Sequence, residues 1–326
     1  MSGLSRIEHS APPLPGKMGH LVGYIESTLA ILTRFAGRFL FLLAVTVCML
    51  STACVHAQTI EAMTYNIRLD TQADGADAWD FRKKGLVDQI KFHEPDVLGI
   101  QEGLPHQVEH IDAALPDYSY VGAGRDDGKQ GGEFSAIFYD TRRLERLAHG
   151  TFWLSESPDQ PSVGWDAALN RICTYARFKD LESSQTFWVF NTHFDHMGVL
   201  AREKSAELII AQIDKINVQE DPVLLMGDFN AVPGSAPIAA ITESMSDAKE
   251  QASVVAFGPD GTVRFWPDET AGRFGVDQPV TRRIDYIFTS KGNWRVLKYA
   301  VLTDSNNLKY YSDHLPVFIE AEPVPR

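Results

Sequence analysis

The 326-residue chain is poor in cysteine: it has three, and two of them, Cys48 and Cys54, stand within the first 57 residues. Cys173 alone is left in the remainder, so no intramolecular disulfide can form there and no thiolate cluster can bind a metal. It lies in an alternating apolar run with Ile172, Tyr175 and Phe178, where a buried structural thiol is expected. Stability must then come from an apolar core, which roughly 270 residues can supply. Basic stretches are scarce too. The net charge is −13, and because residues 1–57 hold four Lys/Arg against two Asp/Glu, the remainder carries −15. Such a surface repels polyanions at long range and argues against loose binding to nucleic acid. The short basic groups Arg82-Lys83-Lys84, Arg142-Arg143 and Arg282-Arg283 read as solvated faces. No repeat, low-complexity linker or membrane-length apolar run interrupts residues 58–326, which read as one domain expected to act as a monomer.

The first 57 residues do not belong to that domain. Arg34 and Arg38 precede an apolar run over 39–50, and Val55-His56-Ala57 offers small residues at signal-peptidase spacing. A cationic start, a short apolar stretch and an A-x-A-like site describe an export signal, with cleavage after Ala57 and release to the periplasm or medium. The run is too short to span a bilayer comfortably. Lipidation of Cys54 is disfavoured, since Ser51-Thr52-Ala53 lacks a large aliphatic residue three before the cysteine.

Beyond residue 58 the periodicities alternate between strand and helix. Strands are expected over 60–67, 97–101, 118–121, 134–139, 151–154, 173–178, 187–191, 223–226, 284–288, 295–302 and 317–321. Helices are expected over 79–93 with Asp77 as cap, from Pro105, over 199–216, and after Ser235. Two strand-rich halves, each with helices, favour an α/β fold of two packed sheets with helices outside them.

Short polar motifs stand at the ends of these strands. They are Met63-Thr64-Tyr65-Asn66, Gly99-Ile100-Gln101-Glu102, Asn191-Thr192-His193, Gly227-Asp228-Phe229-Asn230, Arg283-Ile284-Asp285-Tyr286 and Ser312-Asp313-His314. Oxygen ligands with imidazoles suit Mg²⁺ or Mn²⁺ and phosphate chemistry. In an extended chain Asp228 and Asn230 point the same way; the first suits a general base, the second a donor to a phosphoryl oxygen. Gly227 is expected to end its strand and let the backbone turn. Asp285, a carboxylate inside an apolar strand, needs a partner, and His314 is assigned to it.

The ordered set of six motifs resembles the endonuclease/exonuclease/phosphatase superfamily, over essentially all of residues 60–320. That resemblance implies a four-layer α/β sandwich of two packed mixed sheets flanked by helices, dependence on Mg²⁺ or Mn²⁺, and in-line attack of water on a phosphate ester. It implies metal contacts from Glu102, Asn66 and Asp313. It also implies catalytic roles for Asp228, Asn230, His193 and the Asp285–His314 pair, with Glu133 orienting His193. Asn170 and Arg171 lie near a segment that contacts phosphate in related enzymes. Arg125 and His196 suit a substrate clamp. The expected activity is an exported phosphoesterase acting on a small-molecule or carbohydrate-linked phosphate. A secreted nuclease on DNA or RNA is the runner-up, and a non-catalytic phosphate-binding protein on the same fold is the rival from another class. Phe265-Trp266-Pro267 reads as a packed aromatic loop.

Overall fold

The structure is a computed structural model that describes residues 59–254, 256–263 and 274–324. The export signal and Phe265-Trp266-Pro267 lie outside the described residues. Strands β1 (Ile60–Asn66), β2 (Val97–Gln101), β3 (Tyr118–Val121), β4 (Ile137–Asp140), β11 (Trp294–Val301) and β12 (Val317–Pro323) form one mixed sheet, in the order β11-β12-β1-β2-β4-β3. Strands β5 (Leu144–Trp153), β6 (Ile172–Asp180), β7 (Thr186–His193), β8 (Val223–Asp228), β9 (Met245–Asp247) and β10 (Asp285–Ser290) form the other, in the order β5-β6-β7-β8-β10-β9. Each sheet has a central parallel pair, β1 with β2 and β7 with β8. The connections between them are helical: α1 (Trp79–His93) after β1, and α3 (Val199–Ile216) after β7. Helices α2 (Pro105–Ala114), α4 (Ala236–Ser244) and the short α5 (Ala248–Gln251) complete the fold.

Side-chain alternation along the strands decides where the site lies. Ala62, Val97, Val189, Leu224, Met226, Ile287, Val317 and Ile319 share one apolar cluster, the layer between the sheets. Their neighbours face outward. Met63, Tyr65, Leu98 and Ile100 pack with Leu86, Ile90, Val108 and Ile111 of α1 and α2. Phe190, Leu225, Tyr286 and Phe288 pack with Ile209 and Ile213 of α3. The inner register therefore continues from Ala62 to Asn66, from Val189 to His193, from Leu224 and Met226 to Asp228, and back from Ile287 to Asp285. Four polar side chains thus arrive together where the apolar layer ends.

Three polar residues of the motifs, Thr64, Gln101 and Asn191, stay inside that layer. Asn191 Nδ2 donates to the carbonyls of Ile100, in the opposite sheet, and of Ala136, just before β4, both at 2.9 Å, and Asn191 Oδ1 accepts from Gln101 Nε2 at 2.7 Å. Asn191 and Gln101 are fully buried and tie the sheets together.

Several expectations change in detail. Asp77 does not cap α1; Ala78 holds that position, and the Asp77 carboxylate pairs with Lys309 at the end of a 3₁₀ turn, Gln72–Asp77. Arg82 is not solvated but buried. Its guanidinium donates to the carbonyls of Ile67, Arg68 and Tyr311 and pins the chain leaving β1. Gly227 does not end β8, which runs on to Asp228. Its φ of 146° and the Thr192 carbonyl, 2.0 Å from where a Cβ would stand, make glycine necessary there. Residues 134–136 are not in a strand; Phe134 makes isolated bridges to Gly103 and Gly124, leaving Glu133 on the loop. Strand β5 starts at Leu144, earlier than its pattern suggests, because it is an edge strand whose exposed Glu145, Arg146 and Leu147 break the alternation.

Candidate active site

The polar strand ends open into a pocket of about 480 Å³. Its wall includes Glu102, Glu133, His193, Asp228, Asn230, Asp313 and His314. Three residues there have left-handed backbones: Arg68 (φ 57°), Glu102 (φ 63°) and Asn230 (φ 47°). Asparagine tolerates this readily, whereas arginine and glutamate do so at a cost, and such strain concentrates where side chains must be aimed.

Asn66 binds two carboxylates at once. Its Nδ2 donates to Glu102 Oε1 and Asp228 Oδ2, both at 3.0 Å, and its Oδ1 accepts from the Arg68 amide at 3.0 Å. Asn66 is fully buried and sits behind the pocket wall, where its amide orients the carboxylates of Glu102 and Asp228. Glu102 Oε2 also accepts the Leu69 amide at 3.0 Å. Arg68 lies 3.9 Å from Glu102 and 3.8 Å from Asp313 while pairing with Asp74 at 3.0 Å. Burial works against a charged Glu102, yet His314, Arg68 and the Asn66 and Leu69 donors hold it below the usual carboxylate range. Ser312 Oγ donates to the Asn66 carbonyl at 2.7 Å, which fastens the Asp313 loop to the end of β1.

Asp228 and Asn230 both line the pocket, but not through strand alternation. The chain turns after β8, and the Asn230 amide donates to Asp228 Oδ1 at 2.9 Å. Asn230 Nδ2 lies 3.1 Å from His193 Nε2 and 3.0 Å from the Phe194 carbonyl. Asp228 Oδ2 is 3.5 Å from His193 Nε2 and 3.8 Å from His314 Nε2. Burial and the Asp285 carboxylate push Asp228 up to about 7, with His314 opposing them. His314 Nδ1 meets Asp285 Oδ2 at 2.9 Å, and that oxygen also accepts Thr262 Oγ1 at 2.5 Å. Burial disfavours a charged His314, but Asp285, Asp228 and Asp313 hold it well above the usual imidazole range. His193 is held well below that range by burial and by Arg171 and Arg125. The two imidazoles are therefore pushed in opposite directions.

Glu133 Oε2 faces His193 Nδ1 at 3.9 Å and takes a 2.6 Å ion pair from Arg125. Arg125 thus stands behind Glu133 and off the pocket wall, so it acts on the site through that carboxylate. Arg171 and His196 do line the pocket and touch each other, Nη2 to Nδ1 at 3.1 Å. Arg171 Nη1 is buried with no hydrogen-bond partner among the described residues. Asn170 turns away toward Asp126, at 3.5 Å. Asp195 is buried and structural: it accepts the Met197 and Gly198 amides at 2.9 and 2.7 Å, and its carboxyl lies near 2, burial being outweighed by backbone donors and Arg171. Sequence reasoning passed over Arg68, although it follows Asn66 by two residues, and took Arg282 for a solvated face; Arg282 is exposed, but on the pocket wall.

Two donor groups fit a divalent cation. Glu102 and Asp313 present carboxylate oxygens to the pocket, whereas Asn66 turns its Nδ2 donor to Glu102 and its Oδ1 to the Arg68 amide. Asp228, Asp285 and His314 also bring one ligand atom each within 4.8 Å of one another. In that second group the His314 Nδ1 and Asp285 Oδ2 atoms already bond each other, and Asp285 is withdrawn from the pocket wall.

A strand-borne set of carboxylates, amides and imidazoles thus stands at one end of a two-sheet α/β sandwich. Residues 63–314 match the model of the Endonuclease/Exonuclease/phosphatase family, and the chain belongs to that family. A mannosyl-6-phosphatase from Bacteroides thetaiotaomicron is 35% identical with a TM-score of 0.76, the match covering 80% of this chain and 99% of that one. Protein angel of Drosophila melanogaster is 27% identical over 54% of this chain and 50% of its own length. The 3'-5'-exoribonuclease subunit Ccr4 of the Saccharomyces cerevisiae CCR4-Not complex is 23% identical over 59% of this chain and 26% of its own. The chain thus spans half or less of the length of these two curated relatives.

Proposed function

We propose that this phosphoesterase hydrolyses phosphate esters of sugars or comparable small polyols, using Mg²⁺ or Mn²⁺. The observation that carries the reading is the pocket: about 480 Å³, walled by Leu169 and His196 beside Arg171 and by Val263 and Ile284 beside Arg282. This volume is typical of a small-ligand site. The net charge of −15 beyond residue 57 agrees, as does the activity named for the Bacteroides relative. Exoribonuclease relatives keep nucleic acid as the second reading.

A divalent ion at Glu102 and Asp313 would supply charge stabilisation for a phosphoryl oxygen. The remaining steps belong to the side chains. Asp228 Oδ2 orients the attacking water and takes its proton. Asn230 Nδ2, on turning one hydrogen from His193 Nε2, and the ring so released bind non-bridging oxygens, with Glu133 steadying the His193 ring. His314, kept cationic by Asp285, offsets the charge that develops on the phosphoryl group, and as the P–O bond to the alcohol breaks the leaving oxygen takes a proton from solvent. Arg171 Nη1 is a ready donor for the same group, and His196 stands beside it. Asn66 keeps the Glu102 and Asp228 carboxylates apart and aimed.

The test is a panel run with Mg²⁺ or Mn²⁺ at one enzyme concentration: mannose 6-phosphate, phenyl phosphate, poly(A) and plasmid DNA. Turnover of the small esters with intact polymers is expected. Rapid polymer cleavage that weakens steeply with salt would make this a nuclease instead. Export completes the proposal: the mature chain begins at Gln58, and intact mass of the extracytoplasmic fraction checks it against a full-length or Cys54-lipidated product.

A further inference from the structure

The doublet Arg282-Arg283 splits in the structure. Arg283 is buried, with Nη2 on Asp247 Oδ2 at 2.6 Å and its guanidinium 4.5 Å from the Tyr286 ring centre. Arg282, its neighbour in the segment entering β10, is exposed and lines the active-site pocket. Its backbone is fixed, since the Arg282 carbonyl accepts the Thr262 and Val263 amides at 2.9 and 3.1 Å. Val263 also bridges to His314, so Arg282 is anchored beside the Asp285–His314 pair.

Arg68 pairs with Asp74, Arg125 with Glu133, Arg171 with Asp195 and Arg283 with Asp247. Among the described residues no carboxylate forms an ion pair with Arg282, although acidic residues outnumber basic ones, 43 to 30. The strand order β6-β7-β8-β10 sets Arg171, just before β6, on one flank of His193 and Asp228, and Arg282, just before β10, on the other. The two cations differ in solvation. A buried donor suits the compact phosphoryl group, which must be stripped of water. A long exposed fork suits acceptor oxygens that stay partly hydrated.

We propose that Arg282 is a specificity-determining residue that hydrogen-bonds hydroxyl oxygens of the alcohol part of the substrate, on the flank opposite Arg171. This rests on the sugar-phosphate reading above and adds which side chain discriminates the alcohol. The measurement is the ratio of kcat/KM for mannose 6-phosphate to that for phenyl phosphate, whose leaving group has no hydroxyl. Arg282→Ala should lower this ratio about 10-fold, mainly through KM for the sugar ester, and Arg282→Lys should recover part of it. The same comparison is made for binding by calorimetry in the Asp228→Asn background, where turnover is suppressed. Equal effects on both esters, or none on either, overturn the proposal. Should the wild type hydrolyse neither ester, the phosphatase reading falls and the binding comparison decides Arg282 alone. Failure of mannose 6-phosphate to bind the Asp228→Asn protein more tightly than phenyl phosphate does also overturns it.

Discussion

His314 Nδ1 and Asp285 Oδ2 are 2.9 Å apart, while the other ring nitrogen of His314 faces Asp228 Oδ2 at 3.8 Å. One imidazole thus joins a withdrawn carboxylate to one on the pocket wall. Asp285 fixes the orientation of the ring and favours its charged form while itself standing off the pocket wall. His314→Ala should lower kcat by on the order of 10²-fold or more. Asp285→Asn keeps the shape but not the charge and should give a milder loss. A fully active Asp285→Asn enzyme beside an inactive His314→Ala enzyme would break the proposed linkage.

Asp228→Asn should reduce kcat/KM by roughly 10²- to 10⁴-fold while the far-UV spectrum stays native. The acid limb of the wild-type profile should lie at or below about 7, because a bound cation favours the ionised carboxylate. Without metal the same residue costs stability. Its pKa is higher folded than unfolded, so the folded state binds the proton more tightly. That contribution is fully present below the ordinary carboxylate range and disappears as pH rises through about 7. In chelator, then, Asp228→Asn should melt above the wild type at pH 8, and the gap should close toward pH 5. A gap that widens on acidification would refute the assignment.

Chelation should abolish hydrolysis, with Mg²⁺ or Mn²⁺ restoring it, and calorimetric binding of the ion should weaken in Glu102→Ala and Asp313→Ala. Arg68 gives a second readout, since it already sits within 4 Å of both carboxylates. Arg68→Ala should alter metal affinity through the lost positive charge. Full activity after exhaustive dialysis against chelator would remove the metal from the reaction.

The strand ends were legible because their signal is local: an apolar run with period two, then a polar residue on the inner register, as at Asn66, His193 and Asp228. The Asp285–His314 pairing was legible for an energetic reason, since a carboxylate in an apolar strand needs a partner. What stayed hidden depends on contacts far apart in sequence. Arg82 looks like part of a basic surface run, yet it is buried against the carbonyls of Ile67, Arg68 and Tyr311. Arg125 looks like a substrate clamp until its ion pair with Glu133 is seen. Arg282 and Arg283 are adjacent and identical, and only the segment around Val263 and the position of Asp247 send one to the pocket and the other inward.

Asn191 offers a test of what the motifs do besides chemistry. It stands two residues before His193 and shares its inward register, but it lies in the layer between the sheets, away from the pocket. Its amide satisfies the carbonyls of Ile100 and Ala136 and the Gln101 side chain. Gly99 leaves it room, since a Cβ there would lie 2.8 Å from the Asn191 amide carbon. Asn191→Ala strands Gln101 Nε2 with its weaker Thr64 and Gly99 contacts, at 3.0 and 3.3 Å, and takes one donor from each of the Ile100 and Ala136 carbonyls, the latter keeping the Ile100 amide at 2.9 Å. The expected loss is about 2–4 kcal/mol of unfolding free energy by denaturant titration. Asn191→Leu should be no better, because added apolar volume cannot replace those donors. Both variants, where folded, should keep the wild-type KM, as the pocket wall does not include Asn191. A variant of wild-type stability with a raised KM would instead move Asn191 into the site.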